Sequence, residues 1–188
     1  MPIIAASRKR RVQFITEDWT GTGLPTGWSF NGTGTCNPDF SGGSPQGGHC
    51  LRVLSNTAWP NGGARFPLNR KLTTYGIYAQ VLFENPGNRN VLVTLADACY
   101  WGFYPTQQWN GVNNSGFAAW TWYHIWVDGT PSGQSLYRST TSTKPSSPTF
   151  TRSAINLSLV AISSPDTSNQ MLVDKLRVAN YHYGSNPS

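Results

Sequence analysis

Met171-Leu-Val-Asp-Lys-Leu-Arg-Val178 alternates apolar and polar residues around a single carboxylate, Asp174. Side chains alternate across a strand, so a regular strand here puts Lys175 and Arg177 on one face. Leu172, Asp174, Leu176 and Val178 then share the other. A carboxylate on a mostly apolar face needs a partner, because an unpaired buried charge is costly. A cation such as Ca²⁺ meets that need, and so do backbone donors from the far end of the chain. Either partner brings Asp174 to the acidic stretch Glu17-Asp18-Trp19 and predicts a sandwich closed by its first and last strands. The alternative is an ordinary edge-strand aspartate facing a wet rim.

The rest of the chain agrees with an all-β domain. It has 188 residues, enough for one domain with a sizeable core. Charged residues make up only 12%, and Gly or Pro interrupts nearly every apolar run before it reaches helical length. Tyr75 to Glu84 alternates with Tyr75, Ile77, Ala79, Val81 and Phe83 on one side. Trp120 to Gly129 alternates too, with Trp120, Trp122, His124 and Trp126 on one face. Strand periodicity assigns Trp122 and Trp126 to an inter-sheet core. Asp128-Gly129 predicts a hairpin into a strand near Gln134 to Arg138. Further strands are expected at 12–16, 50–54, 91–96, 99–104 and 155–162, whereas 20–49 and 139–153 read as loops. The organisation is an arm at 1–11, a sandwich at 12–180 and a tail at 181–188.

Net charge is +6, but Arg8, Lys9, Arg10 and Arg11 supply four of the fourteen basic residues. Without residues 1–11 the balance is ten basic against eight acidic, or +2. Basicity therefore belongs to the arm, and a basic arm suits nucleic acid, an acidic protein surface, a membrane or simple solvation; the expectation adopted is docking onto acidic partners in a larger assembly, not nucleic acid. Pro2-Ile-Ile-Ala-Ala6 precedes the basic cluster and is too short for a secretory signal. No stretch approaches the roughly 18–20 apolar residues of a membrane-spanning helix. Cys36 and Cys50 flank a Gly/Pro/Asn-rich loop, and a disulfide closing it is expected to stabilise by about 3 kcal/mol. Cys99 reads as a buried free thiol, and His49, His124 and His182 are too scattered for a His/Cys metal site.

Three stretches resemble the concanavalin A-like lectin/glucanase superfamily. They are Phe14-Ile-Thr-Glu-Asp-Trp19 with Gly23-Leu-Pro-Thr-Gly-Trp28, Trp122-Tyr-His-Ile-Trp-Val-Asp-Gly129, and Leu172-Val-Asp-Lys-Leu-Arg-Val178. The resemblance implies a jelly-roll sandwich of two antiparallel sheets. It also implies a structural Ca²⁺ between first and last strands, with Asp174 as one ligand and Glu17 or Asp18 as others. Hydrolases of that superfamily carry Glu-x-Asp-x-(x)-Glu along one strand. Here only Glu17 and Asp18 are adjacent, and no two acids lie at i, i+2 or i, i+4. A lyase-like set of His124 with Tyr123, Arg52 or Gln80 lacks its local patterns.

Eight Trp remain to be explained. Trp59 in Thr57-Ala-Trp-Pro-Asn-Gly62 and Trp109 in Gln107-Gln-Trp-Asn-Gly111 sit among amides and turn residues, which suits sugar stacking at loop tips. Tyr104 and Asn110 are candidates to join Trp109. The sequence thus leads to the expectation of a non-catalytic, lectin-like decoration or adhesion protein of a virion, in phage style. It would be anchored by its arm to the capsid or tail surface and hold surface glycans, and it would not be an enzyme. A free carbohydrate-binding module, or a polysaccharide hydrolase or lyase, is the alternative.

Overall fold

In the computed structural model the described residues are 10–32, 34–40, 44–45, 48–55, 63–84, 90–95, 99–103, 117–163, 170–185 and 187. The side chains of 37, 39, 40, 55, 90–95 and 99–103 are not described. Thirteen strands appear among the described residues, and no helix. They are β1 (Gln13–Glu17), β2 (Ser29–Asn31), β3 (Gly34–Phe40), β4 (Cys50–Ser55), β5 (Gly63–Leu72), β6 (Tyr75–Phe83) and β7 (Asn90–Leu95). Then come β8 (Cys99–Phe103), β9 (Trp122–Thr130), β10 (Gly133–Ser139), β11 (Phe150–Arg152), β12 (Leu157–Ile162) and β13 (Met171–Ala179).

The large sheet runs β11-β10-β9-β6-β13-β4-β3, with β1 also paired to β13. The second layer holds β12-β5-β2, and the β7–β8 hairpin runs beside β12. All pairings are antiparallel. The expected all-β, two-layer architecture is present, and the first and last strands do pair.

Periodicity explains the core. Tyr75, Ile77, Ala79, Val81 and Phe83 of β6 point inward, beside Tyr123, Ile125 and Val127 of β9 and Met171, Val173, Leu176 and Val178 of β13. They meet Ala64, Leu72, Leu157, Val160 and Ile162 of the second layer. The expectation for the Trp row is therefore corrected. The inward face of β9 carries Tyr123, Ile125 and Val127, so Trp122 and Trp126 point outward. Trp126 is nonetheless fully buried, because residues 181–183 pack over it together with Tyr78.

The predicted regular alternation of β13 also fails at its centre. Val173 pairs with Val81 and Leu176 with Ala79, so Asp174 and Lys175 together oppose Gln80. This bulge shifts the pattern by one, and Leu176 and Val178 return to the core while Arg177 turns outward. The bulge falls where the strand's other edge changes partner. β4 pairs with residues 171–173 and β1 with 176–179. β13 is therefore a central strand, and an edge-strand aspartate is excluded.

Cys36 and Cys50 are free thiols, which corrects the expected disulfide. Cys36 lies opposite Val53 and packs against the inter-sheet core. Cys50 lies opposite Phe40 and packs with Leu82 and Leu172 on the outer face. Two side chains on opposite faces of a sheet cannot reach disulfide geometry. Burial pushes both thiols up to about 12.

Candidate functional site

The outer face of the large sheet carries a concentration of polar and aromatic side chains, and strand register fixes its layout. One row across the sheet is Arg52, Leu172, Leu82 and Trp122. In the next, Gln80 lies between the bulge residues Asp174 and Lys175 and His124, followed by Ser139. The third is Arg177, Tyr78, Trp126 and Tyr137, and the fourth Ala179, Gly76, Asp128 and Ser135. From β4 to β10 a row spans four strand spacings, about 19 Å.

The C-terminal segment covers the third and fourth rows. Trp126 Nε1 donates to Gly184 O at 3.0 Å, and Lys144 Nζ donates to Tyr183 O at 3.0 Å and to Asp128 Oδ2 at 2.7 Å. At the other side the strip is bounded by the 117–121 turn and by Glu84 and Gln170. Gln170 N donates to Glu84 Oε2 at 3.0 Å, and Arg52 Nε donates to Gln170 Oε1. In rows one and two between these borders Arg52, Trp122, Lys175 and His124 are partly exposed, whereas Leu82, Leu172, Gln80 and Asp174 are buried.

Along this strip Gln80 Nε2 donates to Tyr78 Oη at 3.0 Å, and Tyr78 Oη lies 2.8 Å from His124 Nδ1. Burial, then the nearby Lys175 ammonium, holds the His124 imidazole below its usual range, so it is neutral at neutral pH. Tyr78, with burial raising its pKa, keeps its proton, so its hydroxyl donates to an unprotonated Nδ1 or accepts from Nδ1–H according to the tautomer. Among the described residues the buried Gln80 Oε1 has no partner. Half-buried His124 and Trp122 thus present an imidazole and an indole on this face, with the buried Gln80 amide on the neighbouring strand. Tyr123, which the sequence grouped with His124, instead faces the core and accepts from Ala118 N at 2.8 Å. The reading missed Tyr78, although the alternation of β6 places it on the His124 face.

A cleft of about 470 Å³ opens at the strip's β4/β1 end, lined by Asp18, Thr20, Ser44, Gly48, His49, Asp174, Lys175 and Arg177. Here the expected meeting of Asp174 with the acidic start occurs, but Arg177 mediates it. Its guanidinium donates to Glu17 O at 2.7 Å, to Leu176 O at 3.1 Å and to Asp18 Oδ1 at 2.5 Å. Asp174 Oδ2 accepts from Ser44 Oγ at 2.9 Å. The Glu17 carboxylate points away and accepts from Trp28 Nε1 at 3.0 Å. Among the described residues no three His, Cys, Asp or Glu side chains gather as metal ligands. A calcium ion held by Glu17, Asp18 and Asp174 does not fit this arrangement, because a guanidinium already supplies the positive charge between the strands.

Burial raises the Asp174 carboxyl above its usual 3.8, and the Ser44 hydrogen bond and Lys175 only partly oppose this. A carboxyl with a raised folded-state pKa binds its proton more tightly folded than unfolded. Its ionisation therefore lowers stability as pH rises through the folded value, and the penalty vanishes below 3.8. Asp174→Asn is expected to raise Tm at pH 7 and to lose that gain as pH falls towards the unfolded carboxylate range. Melting curves of both proteins from pH 3 to 8 check this. A lower Tm for Asp174→Asn at pH 7 contradicts it.

Trp59, Tyr104, Trp109 and Asn110 lie outside the described residues, as do Arg8 and Lys9. Arg10 and Arg11 are described. Asn180 Nδ2 donates to Arg10 O at 2.9 Å, and the Arg11 guanidinium sits 5.3 Å over the Tyr181 ring. No helix is long and apolar enough to cross a membrane.

With this geometry, solved structures can be compared. A glycosyl hydrolase family protein from Mycobacterium fortuitum covers 89% of the chain with 99% of its own, at TM-score 0.50 and 14% identity. A GH43 protein from Bacillus licheniformis reaches TM-score 0.53 at 12% identity, over 96% of this chain and 41% of its own. Domain 4 of an extracellular GH43 arabinanase from Geobacillus stearothermophilus, solved with arabinotriose, covers 84% with 82% of its length, at TM-score 0.50 and 15% identity. What is shared is the fold. No protein-family model matches the sequence, and no curated protein matches it significantly.

The expectation that the protein is not an enzyme is corrected by this comparison. It rested on the missing Glu-x-Asp pattern, yet the Mycobacterium fortuitum glycosyl hydrolase family protein has this fold across nearly its whole length. Absence of one strand motif does not decide against catalysis on such a sandwich.

Proposed function

We propose that the strip on the outer face of the large sheet holds a polysaccharide chain. The observation that carries this is partly exposed Lys175 and His124 lying beside partly exposed Trp122 on the face turned away from the second layer. Imidazole and ammonium groups between them donate and accept as sugar hydroxyls require, and an indole takes the apolar face of a ring. The fold neighbours, a glycosyl hydrolase family protein and an arabinanase domain solved with arabinotriose, support the same substrate class.

A second reading, cleavage of the bound chain, is favoured by the contact of Tyr78 Oη with a neutral His124 at 2.8 Å. A neutral imidazole next to a phenol can move a proton at neutral pH.

Affinity electrophoresis in soluble β-glucan, xylan, arabinan and mucin, with product analysis on the same polymers, tests both readings. Wild type is expected to be retarded by at least one polymer, and Trp122→Ala and Lys175→Ala to bind about tenfold more weakly. Products that vanish in His124→Ala would establish cleavage. Neither retardation nor products across the panel would refute the site. Docking of residues 1–11, through Arg8, Lys9, Arg10 and Arg11, onto a virion surface rests on the sequence alone. A form lacking 1–11 should keep the glycan retardation and lose particle association, and retained association overturns the docking.

A further inference from the structure

We propose that Trp120 is a stacking platform for a pyranose ring at the rim of the strip, an inference that rests on the polysaccharide reading above. Among the described residues Trp120 is the one large apolar side chain left exposed, at 58%. It is also held at φ +55°, a left-handed conformation that bulky residues rarely adopt. Such strain persists only where the surroundings impose it.

The surroundings here are explicit. Trp120 N donates to Phe83 O at 2.9 Å, and Ala118 N to Tyr123 Oη at 2.8 Å. Thr121 Oγ1 donates to Ala119 O at 3.3 Å. Phe117 is buried edge-on against Phe83 and Tyr123, with ring centroids 5.3 and 4.8 Å apart, and the Arg138 guanidinium lies 4.5 Å over it. The turn is nailed down from inside and displays an indole outward, two residues before partly exposed Trp122.

The flanking residues choose the ligand. Its chain neighbours Ala118 and Ala119 are exposed and small, and among the described residues no other large apolar side chain is exposed, so no wider apolar patch is formed by them. A protein partner needs a broad apolar surface, whereas a sugar needs one flat accessible ring. Because the backbone is already fixed, little further ordering is required when a ring docks.

Trp120→Gly separates binding from folding. Glycine takes φ +55° freely, so Tm should stay within about 2 °C of wild type or rise. Trp120→Asn, another residue that tolerates this conformation, serves as the second variant. On gels containing xylan, arabinan, β-glucan or mucin, both should bind about tenfold more weakly than wild type to whichever polymer retards it. Equal retardation of wild type and both variants overturns the platform while leaving the strip reading intact. No retardation of wild type by any polymer defeats the strip reading, and the platform with it. A wild-type dimer that Trp120→Gly dissolves, with retardation unchanged, assigns the indole to self-association and overturns the proposal.

Discussion

Arg177→Ala is expected to lower stability by about 3 kcal/mol, among the largest single losses in the protein. The side chain is only 4% exposed and joins β13 to the end of β1 through the Glu17 carbonyl as well as through Asp18. Removing it strands a main-chain acceptor and empties a buried site. The ion pair itself contributes less, because Asp18 is 49% exposed and water screens it. Asp18→Ala should therefore lose under about 1 kcal/mol. For a chain this long, the Arg177→Ala loss corresponds to a Tm drop of about 6–12 °C. Thermal melts of the two variants distinguish the contributions. Equal losses would show that the ion pair, and not the carbonyl contact, ties the first strand to the last.

The second large effect concerns Gly76. A Cβ at this position would stand 2.2 Å from Tyr181 O and 3.0 Å from His182 Cα. Both are backbone atoms, so no side-chain rotation can relieve the clash. Gly76→Val should lift residues 181–184 from the sheet, at a cost of about 3 kcal/mol. It should also uncover Trp126, which is fully buried beneath them. Tryptophan emission should shift to the red, as it should in a chain ending at Asn180. In that shortened background Gly76→Val should add little further loss, since the clashing atoms are gone. Unchanged emission and stability in full-length Gly76→Val would mean that the segment slides aside without detaching.

The sequence made the sandwich legible wherever side-chain alternation ran unbroken. β6 and β9 were readable to within a residue or two because a two-residue period over nine positions leaves little ambiguity. β13 was found but misassigned by face, since a bulge at Asp174 and Lys175 leaves no mark in composition. β3 and β5 escaped because Pro38 and Pro67 argue against strands. Pro67 is tolerated because β2 pairs only with Gly63 to Arg65 and ends before it. The Trp row misled for a different reason. Burial under a C-terminal segment and burial between sheets give the same pattern along β9. Of the site, His124, Gln80 and Arg52 were in view, but only strand register placed Tyr78 and Lys175 among them. Trp120 was hidden by its own periodicity with Trp122, which its left-handed turn breaks.

β13 has β6 along one edge and shares the other between β4 and β1, yet it follows every other described strand in the chain. A nascent chain emerging from the ribosome therefore holds two half-sheets with raw facing edges until residues 171–179 arrive. Both edges can recruit stray strands from neighbouring chains in that interval. Synthesis that stalls shortly before Met171 should yield inclusion bodies in place of a smaller soluble product.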